Sequence, residues 1–305
     1  MIKDLRLAAL RRFAVAITIL NIAGHAFLGF EQSLGQVFAS LATAYSVEIL
    51  LEVIEARANR RTIRFAGSPK AFVDFLLPSH ISGLAVAMLL YANDQIFPIV
   101  FAATVAIASK AIFRVAVESG RRRHFFNPSN MGIALTLLLF PWVGIAPPYQ
   151  FTENLGGVAD WIFPCVFILT GSFLNSRLTR RMPLIFAWVG GFALQALIRN
   201  VLVGTSWISG LSPMTGVAFL LFTFYMITDP GTTPAKPSKQ VVFGAGVALA
   251  YSVLMMLHVA YGIFFALSIV CALRGLGIYA LTFRRAQRAV ELSAAEPARG
   301  VLGQA

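Results

Sequence analysis

Long apolar stretches separated by short polar segments run along almost the whole chain. Ten of these stretches are long enough, or nearly long enough, to cross a bilayer, which needs about 20 apolar residues. The pattern predicts an all-α polytopic membrane protein with about ten transmembrane helices, of which the fifth and the eighth are short. The ten stretches lie near 13–30, 35–54, 71–90, 97–115, 128–142, 159–176, 183–202, 213–228, 241–258 and 262–282.

Lysine and arginine gather in every second connecting segment. By the positive-inside rule, this alternation predicts a multi-pass protein of a bacterial-type inner (plasma) membrane with both termini in the cytoplasm. The basic segments are 1–12, 57–70, 110–123, 177–181, 236–239 and 284–288, and the loops 31–34, 91–96, 143–158, 203–212 and 259–261 contain neither residue.

The composition agrees with a membrane protein. The chain is 58% hydrophobic and only 12% charged, and its mean hydropathy is +0.75, whereas a soluble domain carries about 25% charged residues. The net charge of +12 follows the alternation of the loops and is therefore a topology signal. The lipid bilayer is the expected partner, and nucleic acid is not.

Three motifs place Pro, a hydroxyl or amide side chain and then Gly beside an apolar stretch, at 78–83, 128–132 and 213–216. Pro and Gly free backbone groups, which inside a bilayer must be satisfied by protein or by a ligand. Broken helices in matching positions of two halves indicate a binding site. The alternative is that these residues only allow helices to pack closely.

Ten spans divide into five and five, so the second half enters the membrane from the opposite side and forms an inverted repeat. The third span is expected to start with the motif at 78–83, and the eighth with its outer-side counterpart at 213–216. The predicted organisation is a basic cytoplasmic lead-in at 1–12, repeat 1 at 13–142, an outer loop at 143–158, repeat 2 at 159–282 and a disordered cytoplasmic tail at 283–305.

Ionisable side chains inside spans are costly and are functional candidates. Glu48 and Glu52 lie one turn apart on the second span. They could share a proton or hold a cation, or they could form salt bridges with Lys110, Arg114 or the basic loop at 57–64, and for Glu48 both interpretations stay open.

Three further ionisable residues stand out. For Glu55, nearer the cytoplasmic interface, we expect the salt bridge. Asp74 is expected to cap a helix or to pair with a basic residue. Arg274 could bind an anionic ligand with its planar fork or pair with Asp160 or Glu153.

The remaining chemistry is sparse. The four histidines are dispersed without metal-ligand spacing, and His80 alone lies inside a broken-helix motif. No P-loop, nucleophile elbow or dinucleotide fingerprint is present. We therefore expect no metal site and no self-contained catalytic centre.

Two segments of the chain resemble a known membrane family. Residues 107–110 (Ile-Ala-Ser-Lys) followed by 126–132 (Phe-Asn-Pro-Ser-Asn-Met-Gly) resemble the Lys-containing helix and Asn-Pro motif of the RnfD/NqrB family, which are membrane components of the Rnf complex and of the sodium-translocating NADH:quinone reductase. Residues 226–234 resemble the signature Ala-Thr-Asp-Pro-Val-Thr-Ser-Pro of this family. More specifically, the chain resembles the short members encoded beside enediyne polyketide biosynthesis genes, which share the stretches 147–154 and 221–226.

The resemblance implies a five-plus-five inverted repeat like that of urea-transporter-like proteins, and it implies flavin. The family members of the large complexes attach FMN covalently at a Ser/Thr-Gly-Ala-Thr motif. This sequence has no such motif, so covalent FMN is not expected, and a non-covalent flavin (FMN or riboflavin) in the central cavity is. The residues expected to bind it are His80, Ser82, Gly83, Lys110, Asn127, Ser129, Asn130, Thr215, Gly216, Thr228, Asp229 and Arg274.

The function implied by the resemblance is that of a membrane redox component linked to enediyne-type secondary-metabolite biosynthesis. Its partners would be redox proteins or biosynthetic enzymes. The alternative is a transporter or channel for a flavin, a small solute or a biosynthetic product, since inverted repeats and broken helices suit alternating access. A structural scaffold for a biosynthetic assembly is the third possibility.

Overall fold

A computed structural model describes residues 2–116, 122–147, 154 and 156–302. The described first half contains five α-helices, and a π-helical turn at Gly24–Leu28 extends the first of them. Two short ladders, β1 with β4 and β2 with β3, connect helix ends. The bounds are α1 Ile2–Ala23, α2 Leu34–Ala58, α3 Pro69–Leu89, β1 Leu90–Tyr91, α4 Phe97–Ile112, β2 Arg114–Ala116, β3 Arg122–His124, α5 Pro128–Leu139 and β4 Gly144–Ile145.

The described second half is helical throughout and less regular. A 3₁₀ turn at Gly157–Trp161 precedes its first helix, and a second 3₁₀ turn, Ser212–Thr215, joins two short helices. A π-helical turn, Phe222–Met226, follows the second of these. The bounds are α6 Ile162–Arg177, α7 Met182–Val203, α8 Trp207–Leu211, α9 Val217–Leu221, α10 Pro237–Met256 and α11 Gly262–Leu302.

Seven helices of the described chain are long and apolar enough to cross a membrane. The bent pair Trp207–Thr215 and Ala218–Met226 would add an eighth span. Two shorter apolar helices, Phe97–Ile112 and Pro128–Leu139, match the remaining predicted stretches. Large apolar side chains such as Phe27 stay exposed, as expected where lipid rather than water surrounds the protein. The prediction of an all-α fold with several helices that could span a membrane is confirmed, and seven or eight of the ten predicted spans meet this criterion in the described chain.

The predicted helix opening at 78–83 is wrong. Residues 69–89 form one helix that contains Pro78, and its first turn is capped by the Ser68 hydroxyl, which accepts from the Ala71 amide at 3.1 Å. Pro78 has no N–H for the carbonyl of Asp74, four residues earlier. Ser82 donates to the Pro78 carbonyl at 2.9 Å, which is a separate bond within the same helix. Pro is tolerated inside membrane helices because Ser and Thr side chains and neighbouring helices satisfy the freed backbone groups.

The predicted break before the eighth span is confirmed. Gly216 has an extended conformation (φ −77°, ψ 149°) between the 3₁₀ turn and α9. The two arms are bent by 70°. A helix cannot continue through an extended residue, so the chain changes direction at this point.

The helix α11 continues to Leu302, beyond the predicted end of the last span. The structure describes residues 283–302, which belong to the predicted disordered tail at 283–305, as a continuation of this helix. Alanine, glutamate, arginine and leucine dominate this segment and are strong helix formers, so a low apolar content did not prevent a helix.

The α4–α5 contact is close enough to depend on one glycine. A Cβ added at Gly132 would lie 2.3 Å from the Ala102 carbonyl oxygen, which is backbone and cannot rotate away. We expect Gly132→Ala to destabilise the protein by about 1–3 kcal/mol through overpacking. The measurement is thermal unfolding in detergent.

The control for that prediction is Gly190→Ala in α7. A Cβ added there would meet nothing within 4 Å, so the substitution should stabilise the helix by about 0.5–1 kcal/mol. Equal effects of the two substitutions would contradict the close α4–α5 contact.

Candidate functional site

Asn127 joins the two motifs that carry the family resemblance. Its Oδ1 caps α5 by accepting from the Asn130 amide at 3.0 Å and from the Ser129 hydroxyl at 3.0 Å. Its Nδ2 donates to the Met226 carbonyl at 3.1 Å, across 99 residues of sequence. The π-helical turn ends at Met226, and the Met226 carbonyl also accepts a long bond from the Asp229 amide at 3.4 Å. A carbonyl oxygen has two lone pairs, so it can accept from the Asn127 amide as well.

Residues 228–233 fold into a tight turn directly after Met226. The Asp229 carbonyl accepts from the amides of Thr232 and Thr233 at 3.2 and 3.1 Å. The Asp229 Oδ1 accepts from the Gly231 amide at 2.8 Å. Thr228 donates its hydroxyl to the Phe224 carbonyl at 2.8 Å. The geometry of this turn is thus set by its own residues, with Asp229 as the organising group.

Two arginines hold the outside of this turn. The Arg274 Nη1 donates to the Thr232 carbonyl at 2.6 Å, and the Arg181 Nε donates to the Thr233 hydroxyl at 3.0 Å. Arg181 is only 6% exposed, and burial lowers the pKa of its guanidinium. We name the set Asn127, Asn130, residues 228–233, Arg181 and Arg274 the junction site.

Asn130 points away from the turn and toward α11. Its Nδ2 donates to the Phe264 carbonyl at 3.0 Å and to the Ser268 hydroxyl at 2.9 Å. Its Oδ1 is buried and has no hydrogen-bond partner in the described chain. A buried acceptor without a donor costs about 1–3 kcal/mol. Among the junction-site residues that the structure describes, this is the one side-chain atom in that condition, so it is the candidate atom for a ligand contact.

His80 lies in a separate polar group formed by α1, α2 and α3. Its Nε2 is 2.7 Å from the Thr18 hydroxyl and its Nδ1 is 2.6 Å from the Tyr45 hydroxyl. The Thr18 hydroxyl donates its single proton to the Ala14 carbonyl at 2.7 Å. The Nε2 must therefore donate to Thr18, and Nδ1 accepts from Tyr45. With the Tyr45 hydroxyl as the donor to Nδ1, the imidazole is neutral and protonated at Nε2.

Ser82 and Gly83 serve packing of α3. The Ser82 hydroxyl bonds within its own helix. The Gly83 carbonyl accepts from the Ser40 hydroxyl at 2.7 Å, and a Cβ at Gly83 would lie 3.2 Å from the Ala44 Cβ. Gly83 therefore holds α2 against α3, and neither residue carries a described group that is left for a ligand.

Lys110 donates to the Glu48 Oε2 between α4 and α2. The salt-bridge interpretation of Glu48 is therefore the one this structure displays. Glu55 forms the expected ion pairs, with Arg114 at 2.7 Å and with Arg61 at 3.2 Å. These contacts place the charged residues of α2 in a structural network.

That network continues to the loop after α2. Arg61 lies 2.5 Å from the Glu52 Oε1, and this hydrogen bond raises the pKa of the Arg61 guanidinium. Asp74 pairs with Arg11 at 2.5 Å, as expected for pairing with a basic residue.

Thr215 is exposed and donates its hydroxyl to the Ser212 carbonyl at 3.0 Å. No hydrogen bond of the described residues links it to His80, so the opposition of the 78–83 and 213–216 motifs stays a prediction. Glu153, one of the partners considered for Arg274, lies outside the described residues. The other, Asp160, forms no ion pair with Arg274 within 4.0 Å, and the described partner of Arg274 is a backbone carbonyl.

Arg181 was not identified from the sequence. It belongs to a basic loop and was interpreted as a topology signal only. The available signal was weak: the loop is only four residues long between α6 and α7, and a short connection holds its side chains close to the helix ends.

Across the part of the chain that the structure describes, no group of three or more His, Cys, Asp or Glu could hold a metal ion. Comparisons with protein-family models and with curated proteins found no match to this chain.

Proposed function

We propose that this protein is a membrane redox component of the RnfD/NqrB type that holds a non-covalent flavin, FMN or riboflavin, at the junction site. The observation that carries the proposal is the direct contact between the Asn-Pro motif and the Thr-Asp-Pro turn, through the Asn127 amide and the Met226 carbonyl. Two segments that resemble the same family separately, 99 residues apart, form one polar site in space.

The residues fit a flavin at one identifiable atom. The isoalloxazine ring carries an N3–H donor, and the buried Asn130 Oδ1 is an acceptor without a described partner. The amide of Asn127 and the hydroxyl of Thr228 already have partners within the protein, so they shape the site rather than contact a ligand. A bound flavin would supply one- and two-electron chemistry, and the chain's own residues would bind and orient the ring.

The proposed architecture is ten spans in a five-plus-five inverted repeat, with both termini cytoplasmic in a bacterial-type plasma membrane. Matching contacts support it. In the first half α2 packs on α4 and α4 on α5, and in the second half α7 packs on α10 and α10 on α11. These are the second, fourth and fifth spans of each proposed repeat.

One side chain in each half adds to this correspondence. Asn21 on α1 donates to the carbonyl four residues earlier and to the Met88 sulfur on α3 at 3.9 Å. Asn175 on α6 donates to its own Gly171 carbonyl and to the Phe224 carbonyl at 2.8 Å. Each asparagine thus ties the first span of its half to the third.

The purified protein tests the redox proposal. We expect the absorption spectrum of an oxidised flavin at close to one flavin per chain, and release of that flavin on denaturation, because the covalent attachment motif is absent. Fluorescence that stays with the polypeptide in denaturing electrophoresis would contradict non-covalent binding. A colourless protein would contradict the redox proposal itself.

A transporter or channel is the second candidate, and the 70° break at Gly216 favours it. Discontinuous helices expose backbone groups that bind substrates or ions near the midplane of many transporters. A colourless protein that moves a small solute across reconstituted vesicles would support this function. Partner proteins of the redox function would be electron donors or enzymes of enediyne-type biosynthesis.

A further inference from the structure

The two arginines of the junction site have more positive charge and more donors than their surroundings satisfy. A guanidinium offers five N–H donors. Arg181 uses only its Nε, toward Thr233, and Arg274 only its Nη1, toward the Thr232 carbonyl. Within the described chain, both Nη groups of Arg181, and the Nε and Nη2 of Arg274, have no hydrogen bond.

The charges of the cluster do not balance. Asp229 is the carboxylate that attracts Arg181, but no ion pair within 4.0 Å joins it to either guanidinium. Its Oδ1 accepts from the Gly231 amide, and its Oδ2 lies 4.0 Å from the His124 Nε2. Among the described residues, the two guanidiniums of Arg181 and Arg274 therefore share one carboxylate, that of Asp229. Arg181 is 6% exposed and Arg274 is partly buried. Burial of an unpaired charge is expensive, so an additional anion would stabilise the arrangement.

We propose that Arg181 and Arg274 form a binding site for a phosphate group at the end of the 228–233 turn. The two arginines contact successive residues of one turn, Thr233 and Thr232, and Arg274 is close enough to act electrostatically on Arg181. A phosphate offers three or more acceptor oxygens that match planar guanidinium forks. The site goes beyond the proposed redox function, because it is defined by the two arginines and not by the flavin acceptor Asn130. FMN itself carries a phosphate and is left out of both probes.

Two kinds of molecule could supply this phosphate group. Arg181 lies in the basic connection between α6 and α7, where positive-inside topology places the anionic leaflet, so an anionic lipid headgroup can reach it. A soluble phosphate compound of the cytoplasm can reach the same position. Both supply a tetrahedral oxyanion.

The experiment uses the full-length protein, delipidated in a neutral detergent, and two probes. The first is inorganic phosphate, whose binding should raise the melting temperature relative to chloride at equal ionic strength, because a ligand that binds only the folded state stabilises it. The second is phosphatidylglycerol in mixed vesicles with phosphatidylcholine, and retention of the anionic lipid is measured by native mass spectrometry. Arg181→Gln and Arg274→Gln should each weaken binding of the effective probe about tenfold or more.

Two variants keep the test decisive. Arg199→Gln removes an arginine from α7, the helix that follows Arg181, away from the turn, and it should leave binding unchanged. Arg181→Lys keeps the charge but not the fork, so it decides the outcome if Arg181→Gln does not fold, and it should show weaker binding than wild type. If the substitutions at Arg181 and Arg274 weaken binding of phosphate but not of the lipid, the ligand is a soluble phosphate compound. If they weaken binding of the lipid but not of phosphate, the ligand is a lipid headgroup. No binding of either probe, or equal losses for Arg199→Gln, would overturn the proposal.

Discussion

Replacing Lys110 with Met is expected to destabilise the protein by about 3–5 kcal/mol, because Glu48 would remain in the interior without its cation. The side chains of Lys110 and Glu48 are only 14% and 19% exposed. Removing one partner of a buried pair leaves the desolvation cost of the other charge uncompensated. The measurement is chemical or thermal unfolding of the purified variant.

A double substitution separates the charge effect from packing. Lys110→Met combined with Glu48→Leu removes both charges, and it should recover most of the lost stability, since apolar pairs of similar volume often replace buried ion pairs without loss. Arg11→Met is the control at a more exposed pair. The Arg11 side chain is 41% exposed, so breaking its contact with Asp74 should cost about 1 kcal/mol or less. A Lys110→Met protein as stable as wild type would contradict the structural role of the pair.

Replacing Asn130 with Ala is expected to remove most of the flavin from the purified protein. The substitution deletes the one buried acceptor of the junction site that has no described partner. Loss of a hydrogen bond to a buried ligand weakens binding about tenfold or more. The measurement is the flavin-to-protein ratio after purification, followed by titration with FMN and riboflavin.

Asn21→Ala is a closely matched control for that experiment. Asn21 is also a buried asparagine whose Nδ2 donates to a backbone carbonyl and whose Oδ1 has no described partner. It lies on α1, away from both motifs, so its loss should lower stability by a similar amount and leave the flavin content unchanged. Equal loss of flavin in both variants would show that the role of Asn130 is purely structural.

Much of the helical architecture could be predicted from apolar length and capping chemistry. The start of α5 followed from Asn127 and Pro128, since Asn is a strong N-cap and Pro suits the first helical position. The break at Gly216 was predicted from the Pro and Gly of the 213–216 motif, which free backbone groups from helical pairing. At Pro78, the prediction of a helix start was wrong. The apolar residues before Pro78 and the Ser68 cap extend the helix in the N-terminal direction, and the proline lies within the helix.

The junction site could be predicted only in part. Asn127 and Asp229 were identified from motifs, but their proximity depends on a tertiary contact across 99 residues. Arg181 was missed because its contact with Thr233 joins residues 52 positions apart. For Glu48, the sequence left two interpretations open, since helix spacing cannot show whether Lys110 on another helix comes within reach.

The hydrogen bonds around His80 have a direction. Tyr45 on α2 donates to the His80 ring on α3, and the ring donates to Thr18 on α1. Thr18 in turn donates to the Ala14 carbonyl. The donors therefore follow one another from α2 through α3 to α1. A second proton on the imidazole would place a donor at Nδ1 facing the donor of Tyr45. The tyrosine hydroxyl would have to turn its proton elsewhere before the ring could become charged. The protonation state of His80 therefore depends on the rotation of the Tyr45 hydroxyl, which belongs to a neighbouring helix.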